Sequence, residues 1–211
     1  MKTIANEDAE GKGLKPLYVH DINPHSAVNG PGRRVVVWVQ GCSLSCPGCF
    51  NPETHSRIHE TVYENPQQLG RELGQLSVDG LTVSGGEPLE QADAVSALIE
   101  GFRQTNGGTV LLFTGFAADR ILRLKQATQA ILRADAVLAG PYIAGANDAD
   151  IWQGKRLLLI TDRITPRELE PVRQWEIQLN GNGRITMSGY PEPSQRASIL
   201  HTARKESVHH E

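Results

Sequence analysis

The 211-residue chain lacks any long hydrophobic run. Its apolar stretches, such as residues 35–39 and 157–160, fall far short of the ~20 residues a helix needs to cross a bilayer. No membrane association is expected. A basic patch is also missing. Asp and Glu outnumber Lys and Arg by 24 to 21, the net charge is −3, and the cationic residues are scattered. The Arg33-Arg34 pair is too small a cluster to hold a phosphate backbone, so no nucleic-acid partner is expected. The opening MKTIANEDAEGKG is polar and acidic, unlike a secretory or transit peptide, and a cytoplasmic location follows as the expectation. No internal repeat is visible.

The most informative absence is a fourth cysteine. The chain has three, Cys42, Cys46 and Cys49, spaced C-x3-C-x2-C in the segment GCSLSCPGCFNPETH. In a reducing compartment, thiols this close read as metal-binding or redox-active rather than as a disulfide framework. Three thiolates leave a four-coordinate metal one ligand short. In an iron–sulfur cluster, the iron without a cysteine takes its ligand from elsewhere, which points to catalysis rather than electron storage. Two other readings share the loop. His55 completes a Cys3His set for structural zinc, and Cys46-Pro47-Gly48-Cys49 is a C-x-x-C redox dithiol, although that leaves Cys42 unexplained.

The surrounding chain alternates strands and helices. Residues 17–22 suggest a short strand and NPHSAVNGPG a loop. The β-branched run at 34–39 predicts a buried strand that leads into the cysteine loop. Further strands are expected at 80–84, 109–114, 136–140 and 156–161. Helices are expected from Pro66 to about 76, over 91–104, and over 118–133 with a break in the middle. Thr165-Pro166-Arg167-Glu168 has the capping-box pattern of a short helix. WEIQL and RITMS flank Asn-Gly-Asn-Gly, which reads as a β-hairpin. About five βα-type strands predict an α/β fold with a parallel sheet, better suited to a partial barrel than to a closed one. The expected organisation is a flexible lead-in over 1–15, the partial barrel over 16–170, the hairpin extension over 171–191 and a mobile tail over 192–211.

A second motif lies one βα unit after the cysteines. Gly85, Gly86, Glu87 and Pro88 follow the strand LTVS. Glycines at a strand's C-terminal end let a ligand approach the backbone, and the freed carbonyls accept hydrogen bonds from an amine. Taken alone, Gly-Gly-Glu-Pro is also an ordinary strand-to-helix turn. Thr114 and Gly115 end the next strand, where a ribose contact and a plain turn are equally good readings. His55 and His59 read as solvated loop residues, and Trp38, Trp152 and Trp175 as packing residues.

Together the two motifs resemble the radical S-adenosylmethionine enzymes. The resemblance implies a [4Fe–4S] cluster on Cys42, Cys46 and Cys49. It implies S-adenosylmethionine chelating the open iron, with Gly85, Gly86 and Glu87 binding its methionine part and Gly48 and Phe50 bordering its adenine. Phe113-Thr114-Gly115-Phe116 and Gly140-Pro141-Tyr142 are similar to segments of anaerobic ribonucleotide reductase activating proteins. Asn29-Gly30-Pro31-Gly32-Arg33 resembles the entry loop of pyruvate formate-lyase activating enzymes. The implied activity is reductive cleavage of S-adenosylmethionine to a 5′-deoxyadenosyl radical. The implied partners are a glycyl-radical enzyme as protein substrate and a flavodoxin- or ferredoxin-type electron donor. Radical chemistry on a small molecule or peptide, and a zinc-stabilised binding module, are the competing readings.

Overall fold

The computed structural model describes residues 15–58, 61–143, 154–170, 174–179 and 185–189. The first 14 residues, Trp152, His59, the Asn-Gly-Asn-Gly stretch within 180–184 and the segment beyond residue 189 lie outside them.

Seven strands form one open sheet in the order β3-β1-β2-β4-β5-β6-β7. Its centre is parallel: β2 (Arg34–Val39), β4 (Gly80–Gly85), β5 (Thr109–Thr114) and β6 (Ala136–Ala139). Val36 sits opposite Thr82, Thr82 opposite Leu111, and Leu111 opposite Ala136. The flanks are antiparallel. β1 (Leu17–Ser26) pairs with both β2 and β3 (Thr61–Tyr63), and β7 (Arg156–Leu159) pairs with β6. A separate hairpin joins β8 (Trp175–Leu179) to β9 (Ile185–Gly189).

Alternation along each strand divides the sheet into two faces. Val35, Val37, Val39, Leu81, Val83, Val110 and Leu112 pack in one core with Val95, Leu98, Ile99 and Phe102 of α2 (Ala92–Thr105) and Leu69 of α1 (Pro66–Gly74). Asn65 caps α1 by accepting from Gln68 N at 3.0 Å, with Pro66 at the first helical position, where a missing N–H costs nothing. The 118–133 segment breaks as its pattern predicts, into α3 (Ala118–Ile121), a 3-10 turn, and α4 (Thr128–Arg133). On the opposite face Leu111, Ala136 and Leu138 pack with Ile164 and Leu169.

Three features differ from the sequence reading. β1 continues through NPHS, which reads as loop. Asn23 and Ser26 are buried, and Asn23 Oδ1 accepts from His25 N at 2.8 Å, which absorbs the pairing irregularity around Pro24. β3, only three residues long, is too short to show an alternation. β7 runs antiparallel to β6, not parallel, so it starts at the same edge of the sheet where β6 ends. That reversal places Lys155, just before β7, at the C-terminal end of the parallel strands. Among the described residues no helix is long and apolar enough to cross a membrane.

Candidate active site

A cavity of about 530 Å³ opens where β2, β4 and β5 end. Parallel α/β sheets present their ligand sites at this edge, because loops from successive strands converge there. All ten residues assigned a role from the sequence surround this region. Cys42, Cys46, Cys49, Phe50, Gly85, Gly86, Glu87, Thr114 and Gly115 line the cavity, and Gly48 lies in the turn closed by Cys49 N donating to Cys46 O at 3.1 Å. Gly48 has φ +68°, a left-handed conformation that favours glycine.

The cysteine loop is pinned at both ends. Gly41 N donates to Thr54 O at 2.8 Å, and Glu87 N to Gly41 O at 2.9 Å, so the loop closes on itself and onto the end of β4. Gln40 adds bonds from its Nε2 to Glu53 O and Ser56 O, at 3.2 and 2.8 Å. Ser43 Oγ donates to the Glu90 carboxylate. All three thiols are half-buried and free. Burial pushes the Cys42 and Cys49 thiols above the ordinary range.

The two glycines after β4 are required by backbone packing. A Cβ on Gly85 would lie 2.5 Å from Val39 N, and one on Gly86 only 2.2 Å from Gly41 O. Gly85 also has φ +102°. Their missing side chains thus bring the strand end against the cysteine loop, a different cause from the ligand approach read in the sequence. Glu87 is fully buried. Its carboxylate accepts from Leu89 N at 2.9 Å, Thr114 Oγ1 at 2.7 Å and Gly115 N at 2.7 Å. Burial raises its pKa, and these bonds oppose the rise. Thr114 Oγ1 in turn accepts from Phe116 N at 3.1 Å. Glu87 and Thr114 therefore order the cavity floor.

Apart from His55, which the zinc reading enlisted as a ligand, several wall residues had no site role in the sequence reading. Lys155 is half-buried, and its Nζ donates to Thr114 O at 2.9 Å and Gly140 O at 2.7 Å. Burial pulls its pKa down, while Glu87 and the three thiols push it back up. His55 is half-buried, not solvated, and its Nε2 is the one buried side-chain polar atom among the described residues without a hydrogen-bond partner. Trp38 lines the cavity rather than only packing, and the hairpin contributes Gln178, Thr186, Met187, Ser188 and Gly189 to the wall. The hairpin's attachment is polar. Glu176 accepts from Asn23 Nδ2 at 2.8 Å, Ala27 N at 3.1 Å and Ser188 Oγ at 2.9 Å, and Asn29 Nδ2 donates to Ser188 Oγ at 2.9 Å.

The donor set discriminates between a single ion and a cluster. Among the described residues, no three Cys, His, Asp or Glu side chains converge on a point that one metal ion could fill. A zinc ion needs its thiolates about 2.3 Å away, all aimed at one point. A [4Fe–4S] cluster takes its thiolates on separate irons, so thiols spread around a cavity fit it. The orphaned His55 nitrogen and the Lys155 ammonium give the same cavity polar groups suited to an anionic or polar guest.

Comparison with known proteins agrees. Residues 28–160 match the 4Fe-4S single cluster domain. The chain is 28% identical over 151 residues to the anaerobic ribonucleoside-triphosphate reductase-activating protein of Enterobacteria phage T4, covering 68% of this chain and 94% of that protein. It is 30% identical over 144 residues to the protein of the same name from Vibrio cholerae, covering 64% of this chain and 91% of the relative. The pyruvate formate-lyase-activating enzyme of Listeria monocytogenes is 40% identical over 81 residues, 36% of this chain and 32% of that enzyme. The fold and site thus define an iron–sulfur enzyme. The chain belongs to the 4Fe-4S single cluster domain family, in the branch of the radical S-adenosylmethionine enzymes that holds the glycyl-radical activating proteins. The zinc-module reading is set aside, because the cysteine loop falls inside the matched domain.

Proposed function

We propose that the protein cleaves S-adenosylmethionine reductively and uses the resulting radical to abstract a hydrogen from a backbone glycine of a partner enzyme. Anaerobic ribonucleoside-triphosphate reductase is the partner class that its relatives suggest. The observation that carries this reading is the meeting of Cys42, Cys46 and Cys49 with Gly85, Gly86, Glu87 and Thr114 around one cavity at the ends of parallel strands. In this reading Cys42, Cys46 and Cys49 hold the [4Fe–4S] cluster, and the carbonyls at Gly85 and Gly86 receive the ligand's amino group. Gly48 and Phe50 border its adenine, and Thr114 and Gly115 stand near its ribose. When bound, the cluster supplies one electron to the ligand's sulfonium, giving methionine and a 5′-deoxyadenosyl radical.

The chain's own residues hold the sulfonium in place and keep water out. Glu87 fixes Thr114 and Gly115, and the hairpin walls one side. The open sheet over residues 16–170 is the partial barrel of this reading, with the hairpin as an extension. The one-electron donor is of flavodoxin or ferredoxin type, and the location is cytoplasmic, where thiols stay reduced.

Anaerobic reconstitution followed by an S-adenosylmethionine cleavage assay tests the reading. Wild-type protein forms 5′-deoxyadenosine, and Cys46→Ala forms none; retained cleavage by the variant overturns it. The hairpin wall favours a second reading, a small-molecule or peptide substrate held within the cavity. A glycyl-radical signal on the partner after mixing supports activation, and its absence alongside continued cleavage supports the second reading.

A further inference from the structure

Among the described residues Lys155 is the one Lys or Arg that lines the cavity, and neither the fold nor the cysteine motif accounts for it. Lys155 stands just before β7, and the antiparallel pairing of β7 with β6 puts it at the strand ends. Its ammonium bridges two carbonyl oxygens, Thr114 O and Gly140 O. An ammonium has three donors, so the bridge leaves one N–H directed by neither carbonyl. Among the described residues Lys155 forms no ion pair with a carboxylate. Half-burying an ammonium without a paired anion is unfavourable unless negative charge lies nearby. Among the described residues its cavity also holds the carboxylates of Asp21, Glu53 and Glu87, and the thiols of Cys42, Cys46 and Cys49, which become negative as cluster ligands.

We infer that Lys155 sets how readily the cysteine-bound cluster accepts its electron. This rests on the cluster reading given above. A [4Fe–4S]²⁺ core with three thiolates carries a net charge of −1. One electron from a low-potential donor converts it to the [4Fe–4S]⁺ form with a net charge of −2, with no bond made or broken. A fixed positive charge in the same cavity favours the more negative state, since cluster potentials respond to local charge, hydrogen bonding and solvent exposure. The two carbonyls hold the ammonium in place, so its field requires no rearrangement during the transfer. Lys155 is a positioning residue for the electron-transfer step rather than a group that touches the reacting carbon.

The test is an anaerobic redox titration of the reconstituted full chain, followed by electron paramagnetic resonance without S-adenosylmethionine. Lys155→Gln retains N–H donors for the carbonyl bridge and removes the charge. It is expected to make reduction at least tenfold harder at a given potential, a shift of about 59 mV to more negative values for one electron. Lys155→Arg keeps the charge and is expected to stay near wild type. Where Lys155→Gln takes up less iron, Lys155→Met supplies the second neutral variant, with potentials compared per assembled cluster.

Equal potentials for wild type and the neutral variants overturn the inference. A Lys155→Arg variant that behaves like Lys155→Gln overturns it too, since the bridge rather than the charge would then matter. An unchanged potential with weakened S-adenosylmethionine binding also overturns it, and assigns the ammonium to the ligand. Wild-type protein that takes up no iron and sulfide defeats the cluster reading itself, and the inference with it. The two failures are therefore distinguishable.

Discussion

Thr114 Oγ1 donates to Glu87 Oε1 at 2.7 Å, joining the end of β5 to the residue that follows the β4 glycines. This bond couples the placement of two candidate binding segments. Glu87→Ala leaves Thr114 Oγ1, Gly115 N and Leu89 N without their shared acceptor. With several buried donors orphaned, a loss of about 3 kcal/mol is expected. Thr114→Val removes two bonds, the one to Glu87 and the one from Phe116 N, and is expected to cost less, about 2 kcal/mol. Chemical denaturation of both variants checks the order; equal costs would show that the carboxylate does not organise the floor.

At the opposite end of the strands, Arg34 is fully buried. Its guanidinium donates to Thr82 Oγ1, Pro31 O, Thr109 Oγ1, Leu81 O and Thr109 O, tying β2, β4 and β5 together. Burial lowers its pKa to about 10, so it stays charged at neutral pH. A lysine cannot reproduce the planar fork. Arg34→Lys is expected to lose roughly 3 kcal/mol, as for other broken buried networks. The folded fraction should still assemble a cluster, because the site lies at the other end of the strands. Thermal melts together with iron content check both statements.

Asp135 gives the fold an acid sensitivity. It is fully buried. Burial would raise its pKa, but bonds from Thr161 Oγ1 and Val110 N at 2.7 Å each, together with Arg103 at 2.9 Å, outweigh that and hold it below the ordinary value. A carboxylate with a lowered folded-state pKa contributes stability above its unfolded value of about 3.9, and loses it as pH falls through the folded value. Wild type should therefore lose stability steeply below about pH 4, and Asp135→Asn should show a flatter profile from a lower starting stability. Parallel profiles in urea titrations from pH 7 to 3 would exclude Asp135 as the source.

Much of this was legible in the chain, for identifiable reasons. The strand at 34–39 is a β-branched run, and those at 80–84 and 109–114 are short apolar runs beside glycines. Both leave a local signal. The cysteine spacing and Gly-Gly-Glu-Pro are contiguous, so they can be read without knowing the fold. The direction of β7 was not legible, because it depends on how the chain returns after Gly140. Lys155 was missed for the same reason: its role comes from that return, and no local pattern marks it. The unpartnered His55 nitrogen emerges only when Thr54 O anchors the loop to Gly41. The hairpin was visible from its turn, yet its polar seat on Asn23 and Asn29 lies about 150 residues away in the chain.

That polar seat yields a prediction for the hairpin. Glu176→Ala removes the acceptor shared by Asn23, Ala27 and Ser188. Elements held by few buried contacts open at low free-energy cost. Amide exchange should accelerate selectively in β8 and β9 while the amides of β4 and β5 keep their protection. Uniform acceleration across the sheet would mean that Glu176 supports the whole fold instead.

The central claim is that the missing fourth cysteine leaves an iron open to S-adenosylmethionine. The most direct measurement is electron paramagnetic resonance of the anaerobically reconstituted, reduced protein before and after adding S-adenosylmethionine. The account predicts a [4Fe–4S]⁺ signal whose g-values and line shape change when the ligand is added. A cluster signal that stays identical at saturating S-adenosylmethionine would contradict it.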